Sequence, residues 1–371
     1  MSAHWHAGVY PPLALGGRGG PSFPFDQPGL ALTHLGRGAV WLALAALELG
    51  PGTRLAMPAY HCGAEVEAAR LAGVEIVFYR VDAELAVDAT DLAAASARAD
   101  ATYVISHFGF PPPTAPAGAR TIADVAHGLF SLDAAGRPLG SGADAAIFCP
   151  RKSLGVPDGG ALLLADRPAS ALDRGPDRRS MARSVLALAA ARTALARARS
   201  LRAPAAAIIS RTSRADAAAR AGTLTETVIG EWDLEIADMR AAAGRVSRLT
   251  DRIVARTAGP AVRERRRANY SRLAAALGEL CFAPLRRLAP GTAPLYLPLL
   301  ATDRPRALAR LLEQGVRGLE IWPVPHPLLD RSAFDELEPL RAGLLALPVH
   351  QQLRPGHMDA IAAAAIRALA V

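Results

Sequence analysis

A single lysine, Lys152, is the residue of this chain that most clearly suggests chemistry. Of the 42 lysine and arginine residues, the other 41 are arginine. An arginine side chain stays charged at any working pH, whereas a lysine amine can lose its proton and attack a carbonyl group. A chain that uses arginine for positive charge but keeps one lysine indicates Schiff-base chemistry at Lys152, first of all with pyridoxal phosphate. We expect the surrounding pocket to lower the pKa of this amine.

Two further polar residues follow a strand-like run, where ligands gather in open α/β sheets. Asp124 ends the run Thr-Ile-Ala-Asp, and His127 follows three residues later. A carboxylate at this place can pair with a protonated pyridine nitrogen, and an imidazole can support the ring or its phenolic oxygen. Lys152 itself follows an apolar run and precedes the glycine-rich return Asp158-Gly159-Gly160, so we expect it on a fixed loop.

A phosphate and a ring face also need partners. Gly36-Arg37-Gly38 opens a predicted helix, where free backbone N–H groups and the helix dipole favour an anion, and Arg37 can add a charged hydrogen bond. Tyr60, His61 and Cys62 come at the end of another predicted strand, and any of the three can lie against a flat ring. Their order of preference stays open on the sequence alone.

The pattern of elements that must position these residues predicts an α/β fold with a mostly parallel sheet. Between about residues 36 and 166, apolar strand-like runs alternate with helical patterns, which is typical of crossover connections. Helices are predicted at 39–49 and 63–72. Strands are predicted at 54–57, 75–79, 102–106, 121–124, 145–148 and 161–164, several of them too apolar for surface ribbons.

The second half of the chain differs in composition. Residues 178–216 contain nine arginines and only one acidic residue, at the final position. We expect a basic helical segment there, whose arginines are either solvated or form a docking surface for an anionic substrate, a lipid surface or a partner helix. A long polar helix is predicted from about residue 238 toward residues 263–267, with Asn269 and Tyr270 on its surface. Strands near 293–300 and 318–322 and a terminal helix follow. We therefore predict a large domain, 1–240, and a small C-terminal domain, 241–371.

Bulk properties exclude several classes of protein. The chain has 371 residues and a net charge of +8, but its arginines are dispersed and lack aromatic neighbours, which argues against nucleic-acid binding. No apolar run reaches the roughly 18 residues of a membrane-spanning helix, and the N-terminus does not look like a secretory signal, so we expect a cytoplasmic protein. Cys62, Cys149 and Cys281 lie far apart, which predicts neither a disulfide framework nor a metal site.

Six segments together resemble the fold-type I pyridoxal-phosphate enzymes of the DegT/StrS group of sugar aminotransferases. In chain order they are GRGAVWLALAALELGPG, PAYHCGAEVEAARLAGVEIVFYRVD, HFGFP, ADVAHGLFS, FCPRKSLGVPDGG and LALPVHQQL. The resemblance implies a large domain with a mostly parallel sheet flanked by helices, and a smaller C-terminal α/β domain. It also implies a homodimer with shared active sites.

The resemblance assigns roles by position. Lys152 falls on the lysine that holds the cofactor and moves protons, Asp124 on the partner of the pyridine nitrogen, and His127 where the family has Gln or His. Gly36, Arg37 and Gly38 fall on the phosphate loop, and Cys62 falls at or near the ring-stacking aromatic residue. Two features depart from the family: Ile147 stands where a phosphate-binding serine is common, and the subunit-crossing Gly-Tyr-Asn-Tyr-Arg stretch is not recognisable.

The sequence therefore predicts a pyridoxal-phosphate-dependent aminotransferase that moves an amino group from an amino acid, glutamate by expectation, to a nucleotide-linked keto-sugar. One alternative keeps the cofactor but acts on a hydrophobic or lipid-linked carbonyl compound, with the basic segment in peripheral contact with a membrane. Another is a non-catalytic scaffold or regulatory relative. His326 and His350 could reach a substrate from the C-terminal part, but we expect them to be packed loop histidines.

Overall fold

The structure is a computed structural model, which describes residues 7–8, 10–14, 19–195 and 239–370. Its centre is a seven-stranded sheet with the strand order β2-β8-β7-β6-β5-β3-β4. Strands β3 to β7 run parallel to one another, and β8 runs antiparallel to its neighbours β7 and β2. The strands are β2 (Ala31–Thr33), β3 (Arg54–Pro58), β4 (Glu75–Tyr79), β5 (Ala101–Ile105), β6 (Thr121–Asp124), β7 (Ala145–Phe148) and β8 (Gly160–Leu164).

The predicted strands of this sheet are confirmed, and β4, β6 and β7 have the predicted bounds. All residues of β5 and β7 are buried, as expected for strands covered on both faces. Five helices accompany this half of the chain: α1 (Gly36–Ala46), α2 (Ala64–Leu71), α3 (Ala89–Ser96), α4 (Pro150–Ser153) and α5 (Arg178–Leu195). The predicted mixed α/β fold is therefore confirmed.

The C-terminal part contains a smaller sheet. It has the order β11-β12-β9, with β9 (Tyr296–Leu300), β11 (Leu319–Glu320) and β12 (Leu344–Pro348) all antiparallel. A separate strand pair joins β1 (Ala7–Gly8) to β10 (Val316–Arg317). The helices are α6 (Met239–Ala242), α7 (Arg248–Val254), α8 (Gly259–Leu277), α9 (Arg304–Glu313), α10 (Glu338–Gly343) and α11 (Pro355–Leu369). The domain boundary near residue 240 stays a prediction.

Two expectations for this part are wrong. The single polar helix from about residue 238 is three helices, α6 to α8, because the chain turns at residues 243–247 and again at 256–258. Asn269 and Tyr270 are buried, not on the surface, because α8 packs against α11 and the small sheet. The amide of Asn269 donates hydrogen bonds to backbone carbonyls of the segment that follows β12.

The basic segment predicted at 178–216 is seen only in part. Helix α5 covers its first half, and residues 196–216 lie outside the described residues. Within the ranges that the structure describes, no helix is both long and apolar enough to cross a membrane.

Candidate active site

The sheet brings the predicted site residues to one edge. Strands β2, β3, β6 and β7 all point the same way, so the segments that follow them meet where these strands end. These segments carry the start of α1, the run Tyr60-His61-Cys62, residues 124–127 and helix α4 with Lys152. Residues that lie far apart in sequence therefore meet at one edge of the sheet, where the rule for open α/β sheets places a ligand pocket.

Lys152 lies in the short helix α4, not in a loop, and its side chain is partly buried. Its ammonium group makes no hydrogen bond or ion pair with the described residues. Burial acts to lower the pKa of Lys152, but the charges of Cys149, Cys62, Tyr10 and Asp124 outweigh it and raise the pKa above its ordinary value. The expectation of a lowered pKa is thus wrong, because the acidic groups around the amine, Cys149 first, outweigh the effect of burial.

Asp124 ends β6, and backbone and side-chain donors fix its carboxylate. Its Oδ2 accepts a hydrogen bond from the Tyr103 hydroxyl at 2.8 Å, and its Oδ1 accepts one from the backbone N–H of Ala126 at 2.8 Å. Both bonds stabilise the ionised form of the carboxyl group. Each oxygen keeps a second lone pair, so the carboxylate can still receive a proton-bearing nitrogen of a ligand.

His127 is buried among aromatic rings. Its ring stacks on Trp322, with centroids 5.4 Å apart, and contacts Phe108 and Tyr296 edge-on or tilted. Burial, together with the charges of Lys152 and His107, lowers the pKa of His127 well below its ordinary value, so the imidazole is neutral at neutral pH. Its Nδ1 is buried without a hydrogen-bond partner among the described residues. A neutral imidazole with an unused nitrogen suits a polar group on a flat ligand.

The start of α1 provides a helix N-terminus close to the other site residues. The residue that precedes the helix is Leu35, which has no side-chain group to bond the first-turn amides, and the first turn carries no acidic residue. A Cβ atom at Gly36 would lie 3.6 Å from Sγ of Cys149, the residue next to α4. Free first-turn amides and the helix dipole make this end suitable for a phosphate.

Gly38, in contrast, has a packing role. A Cβ atom there would lie 2.1 Å from the carbonyl oxygen of Ala242. The end of α6 crosses α1 at this point, and its carbonyl accepts the backbone N–H of Leu35 at 3.0 Å. Only glycine permits this approach, so the glycine pattern in Gly36-Arg37-Gly38 serves both an N-terminus open to an anion and a close crossing.

The structure separates the three candidates for the ring face. Tyr60 and His61 are fully buried: the Tyr60 hydroxyl donates to the Ile321 carbonyl at 3.3 Å, and the His61 ring stacks on Phe78 at 5.3 Å. Burial lowers the pKa of His61 to about 3, so it is an uncharged core residue. Cys62 alone keeps part of its surface exposed.

The charges of Glu65, Lys152 and Asp124 act on the pKa of the Cys62 thiol. Burial raises the pKa of its thiol to about 11, so the group is a neutral thiol at neutral pH.

The position of Ile147 is apolar and buried. Its side chain is 1% exposed and belongs to the core cluster beneath α1, together with Ala39, Val40 and Leu162. This position therefore offers no polar group to a phosphate, and the helix N-terminus must provide more of the binding.

His326 and His350 are packed, as expected, with 3% and 1% of their surfaces exposed. Nε2 of His326 lies 2.9 Å from the carboxylate of Glu67, and its backbone N–H lies 3.5 Å from Nε2 of His61. These contacts join the loop after β11 to helix α2, so His326 has a structural role.

Sequence reasoning missed three residues that belong to this site or hold it. The Tyr103 hydroxyl donates a hydrogen bond to Asp124. Glu65 lies buried in the first turn of α2, and the charges of Asp124 and Lys152 act on the pKa of its carboxyl group. Arg266 donates to the carbonyl of Ser153, the neighbour of Lys152, at 2.8 Å. An acidic residue three positions after Cys62, in the first turn of a helix, was the one available signal for Glu65.

The residues present fit pyridoxal phosphate. An unpartnered primary amine, a hydrogen-bonded carboxylate, a neutral imidazole with an unused nitrogen and an uncapped helix N-terminus surround one pocket. In that cofactor's chemistry these groups would hold its aldehyde carbon, its pyridine nitrogen, its phenolic oxygen and its phosphate. Among the described residues, no group of three or more His, Cys, Asp or Glu side chains could hold a metal ion.

Comparison with known proteins agrees with this geometry. Residues 31–172, which span β2 to the stretch after β8, match the sequence model of the DegT/DnrJ/EryC1/StrS aminotransferase family. The resemblance to this family that the sequence motifs predict is confirmed over these residues. The matched residues include α1, Asp124 and Lys152. The predicted enzyme class, an aminotransferase, is the class that the description of this family gives. No curated protein matches the sequence.

Solved structures with this fold include members described as sugar aminotransferases. A putative sugar aminotransferase from Streptococcus pneumoniae, in its PMP-form, is 16% identical, with 94% of each chain covered and a TM-score of 0.62. DesV from S. venezuelae is 19% identical over 92% of this chain and 85% of its own, with a TM-score of 0.57. DesI, solved in the presence of its TDP-sugar product, is 18% identical over 92% and 80%, with a TM-score of 0.56. These likenesses show the shared fold.

Proposed function

We propose that this protein is a pyridoxal-phosphate-dependent aminotransferase that moves an amino group from an amino acid, glutamate in our proposal, to a nucleotide-linked keto-sugar. The observation that carries the proposal is the sole lysine of the chain, unpartnered among the described residues, at the sheet edge that also holds Asp124 and the start of α1. A structural lysine would be expected to pair with a carboxylate or a carbonyl group.

Each residue has a defined task in such a reaction. Pyridoxal phosphate, when bound, supplies a carbonyl group that accepts amines and a ring that spreads negative charge. Lys152 binds the carbonyl carbon through Nζ and, once released, carries a proton at Nζ to and from the substrate's reacting carbon. Asp124, held by Tyr103 and Ala126, keeps a proton on the pyridine nitrogen.

The raised pKa of Lys152 sets the first step. In the free site the amine is protonated at neutral pH, so it must release a proton before it can attack a carbonyl group. Asp124 is one of the acidic groups near Lys152 that favour the protonated amine. A ligand nitrogen that pairs with Asp124 would remove this attraction and free the amine.

The remaining contacts follow from the pocket walls. Cys62 covers the face of the ring, with a smaller surface than an aromatic residue would provide, and His127 supports the ring edge through an imidazole nitrogen. The amide of Gly36 and the side chain of Arg37 bind the phosphate at the start of α1. Since Ile147 adds no polar contact, we expect weaker cofactor affinity than in a relative with a serine at that position.

The sugar substrate is supported by the family match and by the DesI structure, which is described with a TDP-sugar product. The proposal for a homodimer with shared sites rests on the sequence resemblance, and sedimentation of the purified protein tests it directly. Activity toward an amphiphilic ketone without activity toward soluble nucleotide sugars would favour the lipid-linked alternative.

The decisive experiment is reconstitution with pyridoxal phosphate. We expect a visible absorption band that borohydride bleaches, leaving the cofactor covalently attached to the wild-type protein and to Arg151→Ala but not to Lys152→Ala. Arg151 is the matched control because it is the exposed neighbour of Lys152 in the same helix. A wild-type protein that stays colourless with added cofactor would refute the proposal. Amino donors and keto-sugars can then be screened by the loss of the band.

A further inference from the structure

Glu65 is a buried carboxyl group in the candidate pocket to which the sequence assigned no role. It lies in the first turn of α2, just after the run Tyr60-His61-Cys62, with 5% of its surface exposed. Its Oε1 accepts a hydrogen bond from the backbone N–H of Cys62 at 2.9 Å. The backbone N–H of Glu65 itself also bonds the carboxyl group. Backbone donors therefore hold this group in the turn, and no side chain among the described residues is paired with it.

The surroundings of Glu65 carry charge of both signs. The titratable groups that act on it, or on which it acts, are Asp124 from β6, Lys152 from α4, Tyr103 from β5 and Cys62 from its own segment. No arginine or lysine forms an ion pair with it within the described ranges. Two carboxyl groups that share a small, partly dry volume cannot both be ionised at low cost.

Glu67, two residues later, is a useful contrast. It is buried to a similar extent, with 2% of its surface exposed, but Arg70 and His326 both bind its carboxylate. These hydrogen bonds lower the pKa of Glu67 despite its burial. Burial and the nearby Asp124 raise the pKa of Glu65 to about 7. The same helix therefore holds one compensated glutamate and one uncompensated glutamate, and the uncompensated one faces the pocket residues.

The two carboxyl groups of this pair differ in their donors. Asp124 accepts hydrogen bonds from the Tyr103 hydroxyl and from the backbone N–H of Ala126, both outside its own residue. Glu65 accepts one such bond, from the Cys62 backbone, besides a bond from its own backbone N–H. Its ionisation is therefore poorly compensated in this buried position, and its pKa is raised.

We propose that Glu65 is a second carboxyl group of the cofactor pocket, which carries a proton at neutral pH so that Asp124 alone presents a negative charge to the ring nitrogen. This inference rests on the proposed function. A filled pocket has less water around Glu65 and contains an anionic phosphate, and both changes favour its neutral form further. Ionisation of Glu65 therefore opposes cofactor binding, and Glu65 tunes the charge of the site without taking part in the bond changes.

The test measures the affinity for pyridoxal phosphate as a function of pH, by quenching of protein fluorescence. Above about pH 7, each pH unit is expected to weaken binding to the wild type by up to about tenfold relative to Glu65→Gln, because binding then requires the uptake of a proton. Glu65→Gln keeps an oxygen that accepts the Cys62 N–H but cannot ionise. Titration of the cofactor in solution affects both proteins alike, so it cancels in the ratio.

Controls and outcomes separate the inference from the proposed function. Glu84→Gln removes an exposed carboxyl group elsewhere in the large domain and should retain the wild-type pH dependence. Glu65→Ala gives a second variant without the titrating group, and it should show the same loss of pH dependence as Glu65→Gln. Equal slopes in the wild type and both Glu65 variants, or a steeper slope in the variants, would overturn the role of Glu65 alone. Absence of binding by every protein, wild type included, would overturn the proposed function and this inference together.

Discussion

Replacement of Arg266 by methionine should destabilise the protein and loosen the helix that carries Lys152. The Arg266 side chain is 1% exposed and donates four hydrogen bonds. Its acceptors are the backbone carbonyls of Pro294, Leu295 and Ser153 and the side chain of Gln351, at 2.8–3.0 Å. Burial lowers the pKa of Arg266 to about 10, so the guanidinium is still charged at neutral pH.

The magnitude follows from what methionine leaves behind. Hydrogen bonds to a charged group contribute about 1.5–3 kcal/mol each, whereas burying the charge itself costs several kcal/mol. Methionine removes both terms but leaves carbonyl oxygens facing an apolar side chain, and Ser153 keeps only the bond from Gln351 at 3.1 Å. We expect the free energy of unfolding to fall by about 3–4 kcal/mol.

Urea unfolding at pH 7, followed by circular dichroism, measures this loss. Arg265→Met is the matched control, because Arg265 is the preceding residue of the same helix and is exposed; its unfolding free energy should change by less than about 0.5 kcal/mol. Equal effects of the two substitutions would refute the reasoning, since they would show that the loss comes from helix propensity or net charge. In the loaded protein, Arg266→Met should also slow borohydride-trapped attachment of the cofactor to Lys152.

Three further predictions concern the frame of the site. Gly38→Ala should lower the free energy of unfolding by about 2–3 kcal/mol, because its Cβ would meet the Ala242 carbonyl at 2.1 Å. Gly36→Ala, whose nearest contact would be at 3.6 Å, should change it by less than about 1 kcal/mol. Thermal melts of both variants measure the difference. Asp158 is fully buried, and the side chains of His34, Ser247 and Thr250 bond its carboxylate. These bonds lower its pKa. Asp158→Asn should cost about 2–3 kcal/mol at pH 7 in urea unfolding, and much less below the pKa of an unfolded aspartate. The pKa of Glu65 is raised to about 7 in the folded state, so its contribution to stability is full below about pH 4.5 and is lost as the pH rises to about 7. Without added cofactor, the free energy of unfolding of the wild type should therefore fall by about 3 kcal/mol across this range relative to that of Glu65→Gln.

Much of the large sheet could be predicted because its strands are short, apolar and separated by turn residues. β4, β6 and β7 are bounded by glycine, proline or charged residues that mark their ends, and their bounds came out as expected. The start of α1 was placed three residues late, because two of its first three residues are glycine, which favours helices weakly. The chain crossing at Gly38 explains why glycine is kept there.

The C-terminal part was harder to predict because its arginines led to a wrong assignment of buried faces. In α8, Arg266 is as buried as Tyr270, so a pattern that treats every arginine as exposed gives the wrong face. The helix has almost no separation of apolar and polar residues along its length. Only the contacts with Pro294, Leu295 and Gln351 show why a charge lies there, and those residues are distant in sequence.

The candidate site shows the same limit. Asp124 and Lys152 were accessible because each ends or follows a clear strand. Glu65 was not, because its significance depends on the order of the strands, which brings the segment after β3 to the same sheet edge as the ends of β6 and β7. A single sequence shows a glutamate near the start of a helix, which is also the ordinary place for an acidic residue that complements the helix dipole. Its missing partner becomes visible only in three dimensions.

The roles of the arginines explain why one lysine is informative. Arg266, Arg267 and Arg341 each bind two or more backbone carbonyls, a task for which the five N–H donors of a guanidinium are better suited than an ammonium group. Arg266 and Arg341 also join the C-terminal part to the segments that carry Ser153 and Ala59. Arginine thus fills the structural positions for a buried cation, including those that hold the pocket together. At Lys152 the described structure offers no carbonyl to bind and no carboxylate in direct contact. An amine in that setting has no structural task, which leaves its reactivity as the reason for its presence.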